Sequence, residues 1–214
     1  MTEDEALAIV KPLCVAHGGM GGPGMEFLLK HFHLAHLAAP GGLSIEIGSY
    51  AGDTAKAMLT HLSSLYPVDP PMVFTVDPYG RKRYNGGDCV GELTYGHDLF
   101  LHLKKNLVGF TNHAHFLLSS FDFISGVLGA KHWNNGQERV IADLTYVLLD
   151  GEHDQFTVCT ELKALEPYLA HGGRVVIDNV DKDPLLIPEL LKMGCKLGPA
   201  DVGSGARQAV YIRP

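Results

Sequence analysis

A chain of 214 residues, 46% hydrophobic and 19% charged, carries enough apolar surface for one domain with a large core and is too apolar for a disordered acidic tail. Seventeen Lys and Arg against twenty-four Asp and Glu give a formal charge of −7, and no basic run exceeds Arg81-Lys82-Arg83, so a phosphate-tracking nucleic-acid surface is disfavoured and small molecules are the expected partners. Cys14, Cys89, Cys159 and Cys195 are scattered without a C-x-x-C pair, the N-terminus is acidic, and no apolar run approaches the roughly 18 residues of a membrane span, which together predict a cytoplasmic protein with reduced thiols and no membrane partner.

In chain order, residues 1–40 read as two helices broken by Gly18-Gly19-Met20-Gly21-Gly22-Pro23-Gly24. Short apolar runs follow at Leu43 to Ile47, Met72 to Val76, His115 to Leu118, Tyr146 to Leu149 and Arg174 to Ile177, the pattern of strands buried on both faces of a parallel sheet. Helical periods alternate with them. The clearest spans Asp154 to Ala170, where Phe156, Cys159, Leu162, Leu165 and Leu169 recur and His171-Gly172-Gly173 supplies a stop. Asp183 to Met193 reads as a helix, Cys195 to Gly198 as a sixth strand and Gln208 to Ile212 as a seventh, with Gly203-Ser204-Gly205 turning a closing hairpin. Gly129 to Leu144 reads as a surface excursion. Alternating strands and helices predict an α/β, Rossmann-like open sheet with helices on both faces.

Chemistry-bearing residues gather at the strand ends. Glu46-Ile47-Gly48-Ser49-Tyr50-Ala51-Gly52-Asp53-Thr54 leaves the first strand and opens a helix, where glycines admit a ligand to the backbone and the helix offers unpaired N–H groups. The spacing is neither the G-x-G-x-x-G of dinucleotide sites nor a phosphate-cradling loop, which disfavours an NAD-dependent oxidoreductase and an ATP site. Asp77 ends the second strand, where a carboxylate can accept both hydroxyls of a ribose. Ser119, Ser120 and Phe121 follow the third, with hydroxyls and a ring suited to an adenine edge and face.

The segment Glu46 to Thr54, continuing into Ala55, resembles motif I of class I S-adenosylmethionine-dependent methyltransferases, and its Gly-Ser-Tyr-Ala-Gly-Asp-Thr-Ala form is similar to the catechol and caffeoyl-CoA O-methyltransferase branch. The resemblance implies a seven-stranded, mostly parallel sheet of order 3-2-1-4-5-7-6 with strand 7 antiparallel. The resemblance runs from about Met20 to the C-terminus; residues 1–40 are expected as a helical segment covering the active site and 41–214 as the methyltransferase domain. S-adenosylmethionine is then the cofactor, held around Glu46, Gly48, Ser49, Tyr50, Gly52 and Thr54, with Asp77 on the ribose, Ser120 and Phe121 at the adenine, and Asp150 alongside.

In that sheet order the fourth and fifth strands are neighbours, so Asp150, Asp178 and Asn179 converge. Three hard oxygen donors suit Mg²⁺, or another divalent cation, better than a softer ion. The same three positions match the metal ligands of the metal-dependent O-methyltransferases. His153 stands where that family commonly has a Lys base, and Asp-Gly-x-His is similar to the sugar and macrolide (macrocin-type) O-methyltransferases; an imidazole there is the candidate general base. Each strand-end Asp also has a structural reading, as a helix cap or turn, and Asp154 is a cap candidate.

These readings predict an Mg²⁺- and S-adenosylmethionine-dependent O-methyltransferase acting on a small hydroxylated molecule of phenolic, sugar or secondary-metabolite type. A non-catalytic S-adenosylmethionine-binding protein is the alternative from another class. His31, His33 and His36 do not share one helical face and predict no second metal site. Tyr79, Arg81, Tyr84, Tyr95 and His97 read as a solvated loop or a lid, Met20 to Gly24 as a second closing segment, and apolar surface in residues 1–40 is available to a homodimer.

Overall fold

Apolar runs become strands here because helices cover both faces of the sheet they build. The computed structural model describes residues 1–16, 23–79, 97–134, 137–200 and 207–214. In chain order the elements are α1 (Glu3–Ala16), α2 (Pro23–Ala38), β1 (Leu43–Ile47), α3 (Asp53–Leu65), β2 (Val73–Val76), α4 (His97–Asn106), β3 (His113–Phe116), α5 (Ser120–Gly126), β4 (Lys131–Asn134), β5 (Gln137–Val140), β6 (Leu144–Leu149), α6 (Gln155–Leu165), a 3-10 turn (Glu166–Tyr168), β7 (Leu169–Ile177), α7 (Leu186–Lys192), β8 (Lys196–Ala200) and β9 (Arg207–Ile212).

The main sheet has seven strands in the order β3-β2-β1-β6-β7-β9-β8. Setting aside the separate antiparallel hairpin β4-β5, this is the expected 3-2-1-4-5-7-6 arrangement, and β9 runs antiparallel to both β7 and β8. The β8 to β9 pairing is interrupted by a register shift between Leu197 and Ala200, a stretch that contains Pro199. Alternate side chains feed two cores. Ile45, Ile47, Val147, Leu149, Val175 and Ile177 pack with α5, α6 and α7 on one face. Val73, Tyr146, Leu148, Val176 and Val210 pack with α1 to α4 on the other. Among the described residues no helix is long and apolar enough to cross a membrane.

Several boundaries differ from the sequence reading. The third strand lies two residues earlier than His115 to Leu118, because Thr75 on β2 bonds His113 Nε2 at 2.9 Å and His115 Nδ1 at 2.7 Å and draws both histidines into the sheet. The helix from Asp154 ends at Leu165, where Pro167 enters a 3-10 turn, and His171-Gly172-Gly173 lies inside β7. Gly173 is required there: a Cβ would meet the carbonyl oxygens of Ala170 and Leu144, each at 2.8 Å. The Gly129 to Leu144 excursion forms the β4-β5 hairpin and returns two buried residues, Ile141 and Leu144, to the core. The turn at Gly203-Ser204-Gly205 and the break at residues 18–22 lie outside the described residues.

His31, His33 and His36 are all buried between α2 and its neighbours. Arg174 Nη1 donates to His31 Nδ1 at 2.5 Å, His33 Nδ1 and His61 Nε2 share a hydrogen bond of 2.9 Å, and His36 Nε2 meets Ser44 Oγ at 2.9 Å. Each imidazole therefore ties α2 to β7, α3 or β1, an interior role.

Candidate active site

Register brings the strand ends level. Ile47 pairs with Val76 and with Leu149, and Leu149 pairs with Ile177. The residue that follows each strand is, across the sheet, Asp77, Gly48, Asp150 and Asp178. One further rung of backbone hydrogen bonds holds this row: Gly48 N donates to Val76 O at 2.9 Å, Asp150 N to Ile47 O at 2.8 Å and Asp178 N to Leu149 O at 3.0 Å. In-register residues share a face and sit about 4.8 Å from their neighbours, so Asp150 and Asp178 are adjacent and Asp77 is separated from Asp150 only by a residue without a side chain. The row lies on the α1 to α4 face, where Glu46, two residues before Gly48, also points. Because Ile177 pairs with Ala209, Gln208 stands opposite Asp178 and extends the row to a fifth strand.

Gly48 has φ +85°, and a Cβ on it would lie 2.2 Å from the Asp150 carbonyl oxygen; the close approach of β6 alone demands glycine. Gly52, at φ +80°, is the N-cap of α3 and gives that helix no side-chain cap. Tyr50, also in the left-handed region, donates its N–H to Asp77 Oδ2 at 3.2 Å, and Tyr79 donates its own to Asp77 Oδ1 at 3.0 Å. Asp77 is fully buried and so fixes both the glycine turn and the chain leaving β2. Asn106 at the end of α4 donates to Ala51 O at 2.9 Å, holding the turn from the other side. Ser49 and Thr54 are buried, and Tyr50 is exposed.

Tyr79 departs from the solvated-loop reading. It is buried, its hydroxyl lies 3.2 Å from Ser49 Oγ and donates to the Tyr50 carbonyl, and its ring packs on Phe100 and His115. Burial pushes its phenol well above the usual range, so it remains a donor. Of the other lid residues, His97 begins α4, and Arg81, Tyr84 and Tyr95 lie outside the described residues.

The acids at the row's centre are in contact. The Asp150 carboxyl is raised well above the ordinary carboxylate range, first by burial, then by the charges of Asp178 and Glu46 and by a hydrogen bond with Asp178. Glu46 is raised likewise, by burial and then by Asp77 and Asp53, and its Oε2 is buried with no hydrogen-bond partner. Asp178 accepts from Gln208 Nε2 at 2.7 Å on one oxygen and from Asn179 Nδ2 at 2.8 Å on the other. Asn179 adopts φ +51°, which turns the chain directly after the row. Among the described residues no three His, Cys, Asp or Glu side chains form a metal-binding group. The set at hand is two touching carboxyls and one amide, whose mutual repulsion a hard dication would relieve; to that extent the residues fit Mg²⁺.

Asp154 is the N-cap of α6, accepting from Thr157 N at 3.0 Å, as its structural reading anticipated. It fixes the start of that helix one residue after His153, which is half-buried. Ser120 and Phe121 open α5, behind the cap Ser119, on the other face of the sheet from α3, and Phe121 is exposed. Ser120 is tied to Glu161 of α6, a buried acid pushed up to about 7 by desolvation against that hydrogen bond. Sequence reasoning missed Gln208 and Glu161. Glu161 was detectable as a charged residue within the apolar period of α6; Gln208 carried no comparable signal.

Solved structures share this architecture at low sequence identity. The O-methyltransferase TomG from Streptomyces achromogenes, involved in tomaymycin synthesis and solved with S-adenosylmethionine, superposes with TM-score 0.58 at 15% identity, over 100% of this chain and 92% of its own. The O-methyltransferase NovP gives 0.59 at 16% identity, over 92% and 82%. An rRNA methylase from Streptococcus thermophilus gives 0.51 at 10%, over 86% and 94%. The chain has the methyltransferase fold. No family model and no curated protein sequence matches it.

Proposed function

We propose that the chain is an S-adenosylmethionine-dependent O-methyltransferase that uses a divalent cation, with a small hydroxylated molecule as acceptor. The observation that carries this reading is the level row Asp77-Gly48-Asp150-Asp178 beside an uncapped helix N-terminus. Carboxyl groups so crowded that burial and neighbouring charge raise two of them, Glu46 and Asp150, well above the ordinary range form a receptor for cations. S-adenosylmethionine is a cationic sulfonium carrying an electrophilic methyl carbon, and Mg²⁺ bound to an acceptor hydroxyl favours its deprotonation and orients its oxygen.

The chain's own residues divide the remaining work. The turn from Gly48 to Gly52 and the first N–H groups of α3 receive an anionic group such as a carboxylate. Asp77, fixed in place by two backbone N–H groups, is the acceptor for ribose hydroxyls. Ser120 and Phe121 serve the adenine. Asp150, Asp178 and Asn179 supply the oxygens for the cation. His153 accepts the acceptor's proton, a contribution of about 10²- to 10⁴-fold. The first turn of α2, where Gly24 approaches Gln208, closes the site from the N-terminal side. The formal charge of −7 favours a small acceptor over RNA, although methylases of rRNA share the fold.

Titration calorimetry with S-adenosylmethionine, followed by turnover on a panel of phenols and sugars with Mg²⁺ or EDTA, tests the reading. Binding and chelator-sensitive methyl transfer are expected. Turnover indifferent to EDTA removes the cation, binding without product across the panel favours a non-catalytic protein, and absence of binding overturns the reading entirely.

A further inference from the structure

We infer that Gln208 is a positioning residue that orients the Asp178 carboxylate toward a divalent cation and is itself held by the first turn of α2; this rests on the dication reading above. Gln208 is buried on β9 and lies opposite Asp178 in the antiparallel register. Its Nε2 donates to Asp178 Oδ1 at 2.7 Å, while Asn179 donates to Oδ2 at 2.8 Å.

An ionised carboxylate only accepts, so one amide donor on each oxygen fixes its plane and leaves lone pairs for a cation. Asn179 is the neighbour in sequence and turns with Asp178. Gln208 comes from another strand and is the donor that references the carboxylate to the sheet. A Gln at this point also ends the acidic row without adding charge, whereas another acid would add to the repulsion Asp150 already meets.

The amide is backed in turn by α2. A Cβ built on Gly24 would lie 3.2 Å from Gln208 Nε2, so glycine at the second position of the helix leaves the amide its space. The chain Gly24, Gln208, Asp178 thus links the first turn of α2 to the candidate cation site.

Mn²⁺ is the probe, its binding followed by the loss of the free-ion electron paramagnetic resonance signal, with Tm measured in parallel. Gln208→Met keeps length and removes the donor; Mn²⁺ affinity should fall about 10- to 100-fold, the usual effect of removing such an outer partner. Gly24→Ala improves helix propensity and leaves the amide in place but presses on it; affinity should fall several-fold without loss of Tm. Unchanged affinity in Gln208→Met overturns the inference alone. A loss that follows Tm in Gln208→Met and is absent from Gly24→Ala assigns Gln208 a purely structural role and also overturns it. A parent protein that binds no Mn²⁺ overturns the dication reading and this inference with it.

Discussion

The Asp150 and Asp178 carboxyl groups hydrogen-bond to each other from the ends of two adjacent parallel strands. Two acids in contact remain together only when a proton or a cation sits between them. The sheet register enforces the contact, and the energetic consequence depends on pH and on what is bound.

Asp150→Asn replaces the raised carboxyl by its neutral isostere. The parent's Asp150 holds its proton in the folded state and releases it in the unfolded chain above pH about 4, so it withdraws stability progressively as pH rises toward its raised folded value. The variant should therefore melt a few degrees higher than the parent at pH 8 without divalent ions, since about 1 kcal/mol moves a domain of this size by about 2–4 °C. At pH 4 the two should coincide, and Mg²⁺ should stabilise only the parent. Thermal melts at both pH values check this; a variant less stable at pH 8 would mean the pair is not strained.

Gly48→Ala should be severely destabilising, by about 3 kcal/mol or more, because strain at positive φ adds to a collision with the Asp150 backbone. Gly41→Ala is the control: its φ is +79° but nothing stands within 4 Å of the added Cβ, so only the conformational cost of about 1 kcal/mol remains. Urea denaturation of both variants gives the difference. Equal losses would show that β6 yields to the added methyl.

Five imidazoles give the protein an acid limit. Burial lowers His31 and His36 to about 3 and His61, His113 and His115 to about 4, from an ordinary 6.5. Below pH 6.5 the unfolded chain takes up protons the folded chain refuses, so stability is complete above 6.5 and is lost progressively as pH falls toward 4. Glu161, raised to about 7, acts oppositely between its unfolded value and neutrality, as Glu46 and Asp150 do. Tm should pass through a maximum near pH 6.5–7. A profile flat from pH 4.5 to 6.5 would contradict the burial of these rings.

The acids of the row were legible because each stands directly after an apolar run, so finding the strand also finds its end. The same logic misplaced the third strand: Leu117 and Leu118 are apolar but follow the last rung, while His113 and His115 look polar and are drawn in by Thr75. Glycines were read as a stop after the long helix, yet Pro167 ends it and Gly173 serves the crowding of β7 against β6. Gln208 was invisible as a site residue because its position depends on the antiparallel register of β9 against β7, two strands separated in sequence by α7 and β8. Gly48 invited a ligand explanation, and the structure adds a packing reason for it that holds with nothing bound.

The outer margin of the sheet at β8 has its own consequence. Pro199 offers no N–H, and the pairing with β9 is interrupted by a register shift, while Lys196 and Pro199 are exposed along the strand. A strand so built is a poor template for a further strand. Growth of the sheet into a continuous ribbon with a second molecule is thus discouraged on this side, even at the high concentrations that favour aggregation.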